Sequence, residues 1–171
     1  MDLLDQMHRT SFLGAEFLTW LWYLSEEREG AFALDDEFGA FELWFEDKLV
    51  VGSPSIDAQE NHFKGGHPTT SLEARTALKL GKLAREAKLR VVRGNQEWLF
   101  AFKAESLACS GIKIPAVLTK EADEKFYERM ELIEQLDQMM KGLFGQFLAI
   151  RLSPKWDSEA LPALQTWIRS N

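Results

Sequence analysis

The sequence is poor in the residues that define several protein classes. Cys109 is the single cysteine among 171 residues. It cannot form a disulfide within the chain, so we expect a buried, inert thiol in a cytoplasmic protein. No stretch approaches the roughly 20 apolar residues that a membrane-spanning helix needs. The first residues lack a positive segment and a cleavage site, so we expect no signal peptide and no membrane partner.

Residue sets that mark enzymes and cofactor sites are also missing. Only three histidines occur, and neither a Ser-His-Asp nor a Cys-His set can be assembled. The glycine-rich run at 64–71 does not have the lysine that a Walker A loop requires. We therefore predict no catalytic residues, no metal site and no cofactor.

The composition is that of a folded domain. Hydrophobic residues make up 46% and aromatic residues 12% of the chain, which is far from the composition of disordered proteins. The length suits one domain with a sizeable core. We therefore expect residues 1–171 to form a single domain.

Three segments have helical periodicity. Residues 10–26 are apolar around nearly the whole circumference, which predicts a buried helix. A capping box of Thr70 and Glu73 predicts a helix to about Leu80. A long helix is predicted from Thr119 to Pro154, followed by a short terminal one from 157 or 158. The apolar stripe of the long helix is expected to pack across its own sheet, and its spacing also permits a partner helix. This stripe contains Phe126, Met130, Ile133, Leu136, Met140, Leu143, Phe147 and Ile150.

Alternating patterns predict the strands. Residues 40–46 alternate between apolar and polar positions, and 49–51 is expected to return as the second strand of a hairpin. The polar segment 53–66 is predicted to be a loop or an edge strand. Residues 87–92 and 98–102 form a second predicted hairpin around Gly94-Asn95. Together the patterns predict an α+β fold, with antiparallel β hairpins packed against a buried N-terminal helix and a long C-terminal helix.

Charge is distributed unevenly along the chain. The whole sequence carries a formal charge of -7, yet residues 64–103 hold nine Lys and Arg against three Asp and Glu, a net +6. Such a block can meet phosphate in an acidic protein, because salt screens charges beyond roughly 10 Å at 0.1 M. An ordinary solvated surface is the alternative interpretation.

Within this block, the helical and strand periods suggest one basic surface. Arg75, Lys79 and Lys82 would share a helix face if the helix persisted, and Lys88 and Arg90 share a strand face. Such a surface would neutralise several phosphates and release counterions. The predicted phosphate contacts are Lys64, Arg75, Lys79, Lys82, Lys88, Arg90 and Arg93.

Two further motifs have functional interpretations. The run at 64–71 enters a helix through glycines and hydroxyls, so its N–H groups would suit a phosphate oxygen, or would serve only as turn and cap. Asp35 or Asp36 with Glu46-Asp47-Lys48 is similar to the acidic and E-x-K arrangement of magnesium-dependent nucleases. A polar turn is the alternative there.

Several segments resemble the C-terminal region of bacterial recombination-associated proteins of the RdgC type. The resemblance begins at Gly14–Tyr23 and covers most of the chain. It continues through Pro68-Thr69, Glu73-Ala74-Arg75, Gly81-Lys82, Lys113-Ile114-Pro115, Phe126–Arg129, Leu143-Phe144, Phe147-Leu148 and Arg151. It implies a nucleoid-associated, non-enzymatic protein that binds duplex DNA with little sequence preference, forms a ring-like homodimer and restrains RecA-dependent recombination.

Three functional hypotheses follow from the sequence. The first is a DNA-binding accessory protein of recombination, with double-stranded DNA and a second copy of the chain as partners. The second is a protein-interaction module that uses the aromatic helix around Trp20 and the long Met-rich helix. The third is a magnesium-dependent nuclease built on Glu46 and Lys48.

Overall fold

The computed structural model describes residues 3–35, 37–53 and 59–170, with the backbone alone for 3–11. The described residues form four α-helices, which are α1 (Leu3–Glu27), α2 (Leu72–Lys79), α3 (Ala122–Arg151) and α4 (Leu161–Ser170). The same part of the chain forms six strands, which are β1 (Ala31–Ala33), β2 (Ala40–Gly52), β3 (Glu60–Lys64), β4 (Leu83–Arg93), β5 (Gln96–Lys103) and β6 (Ala108–Lys113). A 3-10 turn at Pro68–Thr70 precedes α2, and a π-helical turn at Trp156–Ala160 precedes α4.

The strands form one antiparallel sheet. Its order is β1-β2-β4-β5-β6, and β3 pairs with β2 on the edge that β1 also uses. The sheet, the helix α1 and the long helix α3 confirm the predicted α+β fold. The hairpin of β4 and β5 is also confirmed, since Arg93 pairs with Gln96 around the two-residue turn.

The predicted hairpin at 40–51 is wrong, because β2 runs through this segment as one strand. The polar run Glu46–Lys48 that suggested a turn lies inside the strand. β4 pairs with β2 on both sides of this run, with a shift of register between Phe45 and Leu49. A β-bulge therefore accommodates the extra polar residues. The predicted edge strand at 53–66 is present as β3, although 54–58 lie outside the described residues.

Helix α1 lies against one face of the sheet. Phe17, Leu21 and Trp22 are fully buried, and Trp20 is 3% exposed. A side chain at Gly14 would place its Cβ 1.8 Å from the carbonyl oxygen of Ala104, so only glycine permits this approach. The prediction of a buried N-terminal helix is confirmed. Phe17, Trp20 and Trp22 present almost no surface to a partner, whereas Phe12 and Tyr23 are half-buried.

Helix α3 is divided into a buried and an exposed part. Leu136, Leu143 and Phe147 are fully buried, but Phe126 and Met130 are 61% and 53% exposed. The prediction that the whole stripe packs across the sheet is therefore wrong for its first part. A helix of 30 residues extends about 45 Å. It is longer than the 8 residues of β5, which span about 27 Å.

The start of α2 differs from the predicted capping box by one residue. Ser71, and not Thr70, is the N-cap, and its Oγ accepts a hydrogen bond from the amide of Ala74. The hydroxyl of Thr70 donates to the carbonyl oxygen of His67 instead. Across the residues that the structure describes, the helices are too short or too polar to cross a membrane.

Candidate nucleic-acid interface

The helices cover one face of the sheet, and the opposite face presents alternate side chains to solvent. Antiparallel partners place their side chains on the same face. Lys64 of β3 is paired with Lys48 of β2, and Lys88 projects from β4 between the buried residues Ala87 and Leu89. These three lysines therefore lie on the open face.

A fourth lysine completes a row across the sheet. Lys113 of β6 is paired with Leu99 of β5. A shallow depression of about 130 Å³ is lined by Lys48, Lys88 and Lys113 together. We call Lys48, Lys64, Lys88 and Lys113 the lysine row. Because neighbouring strands lie about 4.8 Å apart, a row from β3 to β6 extends about 19 Å.

The floor of this depression is small and apolar. It is formed by Leu99 and Ala101 of β5 and by Ser110 and Gly111 of β6. Gly111 has a φ of +57° at a shift of register between β5 and β6. Gly111 thereby permits the bulge that keeps Lys113 on the same face as Ser110.

Two carboxylates orient the central lysines. Lys48 Nζ lies 2.6 Å from Glu86 Oε1, and Lys88 Nζ lies 3.0 Å from Asp47 Oδ1. The hydrogen bond from Lys88 holds the pKa of Asp47 below its ordinary value. Lys48 and Lys88 both keep 34% of the side chain exposed. These pairs fix the two ammonium groups without removing them from solvent.

Arg90 and Arg93 have other partners. Arg90 lies beside the row on β4, with its Nε 2.6 Å from Glu46 Oε1 and Nη1 3.8 Å from Glu97 Oε2. Arg93 donates to the carbonyl oxygen of Glu37, and its guanidinium lies 5.3 Å from the centre of the Phe38 ring. Arg90 therefore has two carboxylate partners, and Arg93 tethers the loop before β2.

Arg75 is held in the interior of the protein. Its Nη2 donates to both carboxylate oxygens of Glu26, at 2.7 and 2.8 Å, and its Nε donates to the carbonyl oxygen of Thr69. The ring nitrogens of Trp22 and Trp167 donate to the same carboxylate. We call Glu26, Arg75, Trp22 and Trp167 the Arg75 clamp.

The clamp joins three helices and leaves little of Arg75 accessible. The residue is 8% exposed, and its guanidinium lies 5.3 and 4.8 Å from the ring centres of Trp22 and Trp167. Glu26 and Trp22 belong to α1, Arg75 to α2 and Trp167 to α4. In this arrangement Arg75 is a structural residue, since a phosphate would have to displace a carboxylate that already accepts four hydrogen bonds.

Lys82 does not continue the helix face that Arg75 and Lys79 share, because α2 ends before it. α2 ends at Lys79, which is exposed, and Lys82 lies in the connection to β4. The Nζ of Lys82 donates to the side-chain oxygen of Asn61 on β3. The predicted stripe therefore does not extend to Lys82, because the helix stops before a third turn. Lys79 and Lys82 remain surface cations outside the lysine row.

Two hydroxyls of the glycine-rich run 64–71 make internal hydrogen bonds. Gly65 and Gly66 have φ of +82° and +59°, so this turn needs a conformation that favours glycine. Thr70 and Ser71 make the cap contacts described above. The anion site at this turn stays a prediction.

Each side chain of the Glu46-Asp47-Lys48 motif forms an ion pair with a residue of β4. Its three side chains contact Arg90, Lys88 and Glu86 respectively. Asp36 lies outside the described residues. Over 3–35, 37–53 and 59–170, three or more potential ligands do not come together as a metal site requires. The geometry therefore does not assemble the nuclease arrangement.

A larger cleft of about 510 Å³ adjoins the clamp. Its lining includes the guanidiniums of Arg75 and Arg90 and the carboxylates of Glu26, Glu29 and Glu46. The charges are nearly balanced. This cleft therefore does not offer the excess positive charge that a phosphate group requires.

Cys109 lies on the inner side of β6 next to Asp137 of α3. Burial, with a further contribution from the Asp137 charge, raises the pKa of the thiol to about 11. The thiol is therefore protonated at neutral pH, and a protonated thiol is a poor nucleophile.

Lys48 and Lys113 belong to the lysine row but are not among the phosphate contacts predicted from the sequence. Lys48 entered the prediction only as part of the nuclease motif or a polar turn, and Lys113 lies outside the basic segment 64–103. The outward position of Lys48, one residue before the buried Leu49, would have been visible if β2 had been treated as one strand. Lys113 required knowledge of the β6 pairing.

Comparison with protein-family models and with curated proteins finds no match to this chain.

Proposed function

We propose that the chain is a non-enzymatic DNA-binding accessory protein linked to recombination, which contacts the phosphate backbone through the lysine row. The single observation that supports this proposal is the alignment of four lysines across the open face of the sheet. Two of them, Lys64 and Lys88, belong to the contacts expected from the sequence. Arg75 is excluded from the interface because it is buried in the clamp.

The charge of the lysine row favours a polyanion. Its four ammonium groups contact two carboxylates, Asp47 and Glu86, and Arg90 beside the row is balanced by Glu46 and Glu97. Lysine binds phosphate as a flexible point charge. Lys48 and Lys88 can therefore turn from a carboxylate to a phosphate oxygen at small cost, since exposed ion pairs contribute only about 0–1 kcal/mol.

The shape of the face favours duplex DNA and backbone contact. The depression is lined by Leu99 and Ala101, and the ring of Phe100, which also borders it, is only 1% exposed and cannot stack on bases. A row about 19 Å long can reach phosphates on both sides of a major groove about 12 Å wide. Contacts of this kind position a protein on DNA without reading sequence.

The resemblance to RdgC-type proteins supports the same assignment. It carries the link to recombination, the homodimer and the nucleoid-associated location, which the lysine row alone does not specify. Lys113 belongs both to the row and to a segment of that resemblance.

The decisive experiment is a titration of a labelled duplex, followed by fluorescence anisotropy at several salt concentrations. With four phosphates engaged, log K should fall with log salt at a slope of about -3.6. The test variant is Lys64→Glu/Lys113→Glu, because both residues are exposed at the ends of the row. We expect this variant to reduce affinity by at least tenfold and to flatten the slope.

The matched control is Lys120→Glu/Lys155→Glu, which makes the same change of charge at exposed positions away from the sheet. It should retain most of the affinity. Equal losses in both variants would mean that total charge, and not the lysine row, governs binding. A duplex that does not bind at low salt would refute the proposal altogether.

A further inference from the structure

The first turns of α3 carry an apolar surface that the fold does not cover. Phe126 and Tyr127 are 61% and 70% exposed, and Met130 and Ile133 are 53% and 39% exposed. The positions 126, 130 and 133 are spaced by four and three, so they lie on one side of the helix. We call these four residues the α3 patch.

The α3 patch is held rigidly. The indole nitrogen of Trp98 donates to the carbonyl oxygen of Leu132, which anchors the helix to β5. On another side, the carboxylate of Glu128 accepts hydrogen bonds from the amides of Leu118 and Thr119 and from the Thr119 hydroxyl. The patch is therefore fixed before any partner binds, which lowers the entropic cost of association.

The size of the α3 patch corresponds to a small interface. Aromatic side chains have roughly 150–250 Å² to bury, so the whole patch presents on the order of 300–500 Å². This area equals that of the largest apolar patch on a typical monomeric protein, and such patches are often functional. Both sides of such a contact would bury less than the roughly 1,200 Å² of a standard interface, so a transient complex is expected.

The surrounding charge identifies the class of partner. Residues 121–134 contain six acidic and two basic side chains. The acidic positions are Glu121, Asp123, Glu124, Glu128, Glu131 and Glu134. A second copy of the chain would bring two acidic helices together, and like charges at such a contact are costly. A helix with a basic border avoids this repulsion.

We propose that the α3 patch docks an amphipathic helix of a partner protein, with an apolar stripe flanked by Lys and Arg. Helices of this kind present apolar anchors at i, i+3 or i+4, and i+7, which matches the spacing of Phe126, Met130 and Ile133. Met130 adds an adaptable contact, since the unbranched thioether fits varied surfaces.

The test uses two synthetic helical peptides with identical apolar stripes, one flanked by Lys and Arg and the other by Glu. Binding is measured by fluorescence anisotropy at low and moderate salt. The basic peptide should bind the wild-type protein at least tenfold more tightly than the acidic peptide. Phe126→Ser/Met130→Ser should weaken the basic peptide at least tenfold, and because both residues are exposed, circular dichroism should show an unchanged fold.

The matched control is Leu72→Ser/Leu80→Ser, which removes two leucines that are 73% and 76% exposed elsewhere on the surface. This control should bind the basic peptide like the wild type. Equal binding of that peptide to the patch variant would show attraction by charge alone and would overturn the proposal. Absence of binding would also overturn it, as would a wild-type dimer in sedimentation equilibrium that Phe126→Ser/Met130→Ser dissociates.

Discussion

The Arg75 clamp and the lysine row contain side chains of the same charge from overlapping parts of the sequence, but their surroundings differ. Arg75 is 8% exposed and bound to one carboxylate that also accepts two indole donors. Lys88 keeps 34% of its side chain exposed beside a half-exposed Asp47. Charge in the sequence therefore marks both a structural interaction and a binding surface, and burial distinguishes them.

The energetic consequences of the two settings are opposite. The Arg75–Glu26 pair is costly to break, because removal of the buried Arg75 leaves the carboxylate without its cation. The cost stays below the about 3–5 kcal/mol of a fully buried pair, since the Glu26 side chain is 31% exposed. An exposed pair contributes about 0–1 kcal/mol and exchanges readily. The clamp should therefore determine stability, and the lysine row should determine binding.

The largest effect is expected from Arg75→Met. The substitution leaves the Glu26 carboxylate without its cation and the carbonyl oxygen of Thr69 without its donor. The free energy of unfolding, measured by urea denaturation, should fall by about 2 kcal/mol, because Glu26 stays partly hydrated. Lys79→Met, one turn later on an exposed face, is the control and should change it by no more than about 0.5 kcal/mol. A loss below 1 kcal/mol for Arg75→Met would remove the distinction between the two regions.

A second variant separates the unpaired charge from the lost packing. In Glu26→Gln/Arg75→Met the side chain carries no charge, but its single amide oxygen can accept from only one of the two indoles, since Trp22 and Trp167 donate to different oxygens of Glu26. This double variant should still be more stable than Arg75→Met alone by about 0.5–1 kcal/mol, because residues in one network couple by about 0.5–3 kcal/mol. Additive losses in urea denaturation would show that the charge of Glu26 is already compensated by solvent.

Within the lysine row, Lys88→Gln should affect DNA and not the fold. Loss of one phosphate contact should make the salt slope shallower by about 0.9 and lower the affinity about five- to tenfold at 0.1 M salt. The free energy of unfolding should change by no more than about 0.5 kcal/mol. Lys79→Gln is the control, since Lys79 lies outside the row, and it should leave the slope unchanged. A larger effect of Lys79→Gln than of Lys88→Gln would mean that the end of α2, and not the lysine row, contacts DNA.

The smallest effect concerns Glu128, which accepts three hydrogen bonds in an exposed setting. These bonds, led by the one from the Leu118 amide, hold the pKa of Glu128 below its ordinary value of 4.5. A carboxyl group with a lowered folded pKa stabilises its contacts above the ordinary value, and this contribution is lost as pH falls through the folded pKa.

Lowering the pH below 4.5 should therefore release the amides of Leu118 and Thr119, which NMR would detect. Protonation of Glu128 alone should leave the midpoint of urea denaturation unchanged. Glu128→Gln should weaken both amide contacts at neutral pH. A carboxyl group that titrates at or above its ordinary pKa would show that these bonds do not form in solution.

Prediction from sequence succeeded where short-range patterns dominate. The hairpin of β4 and β5 was recognised because alternation and the Gly94-Asn95 turn specify it locally. The buried α1 was recognised because apolar residues surround it. β2 was not recognised as one strand, because a polar run inside a bulge has the same composition as a turn. Thr70 was assigned as a cap in place of Ser71, since adjacent hydroxyls compete equally for that position in the sequence.

The candidate site was only partly accessible to the same reasoning. Lys64 and Lys88 were identified from charge and alternation, whereas Lys48 and Lys113 required the pairing of distant strands. Arg75 was included because helical spacing does not indicate which side of a helix meets Trp167, a residue 92 positions later in the chain. The exposed start of α3 could not be foreseen either, since its apolar stripe continues without interruption into the core.

The sequence by itself determined the class of the fold, the two best-defined helices, the central hairpin and the segregation of positive charge. These properties follow from periodicity and composition, which act over a few neighbouring residues. Only the tertiary structure decided which cations are buried, which lysines align across the sheet and which part of α3 stays uncovered. The physical reason is that desolvation and strand pairing depend on residues far apart in the chain, and their free energies exceed the local preferences that a sequence displays.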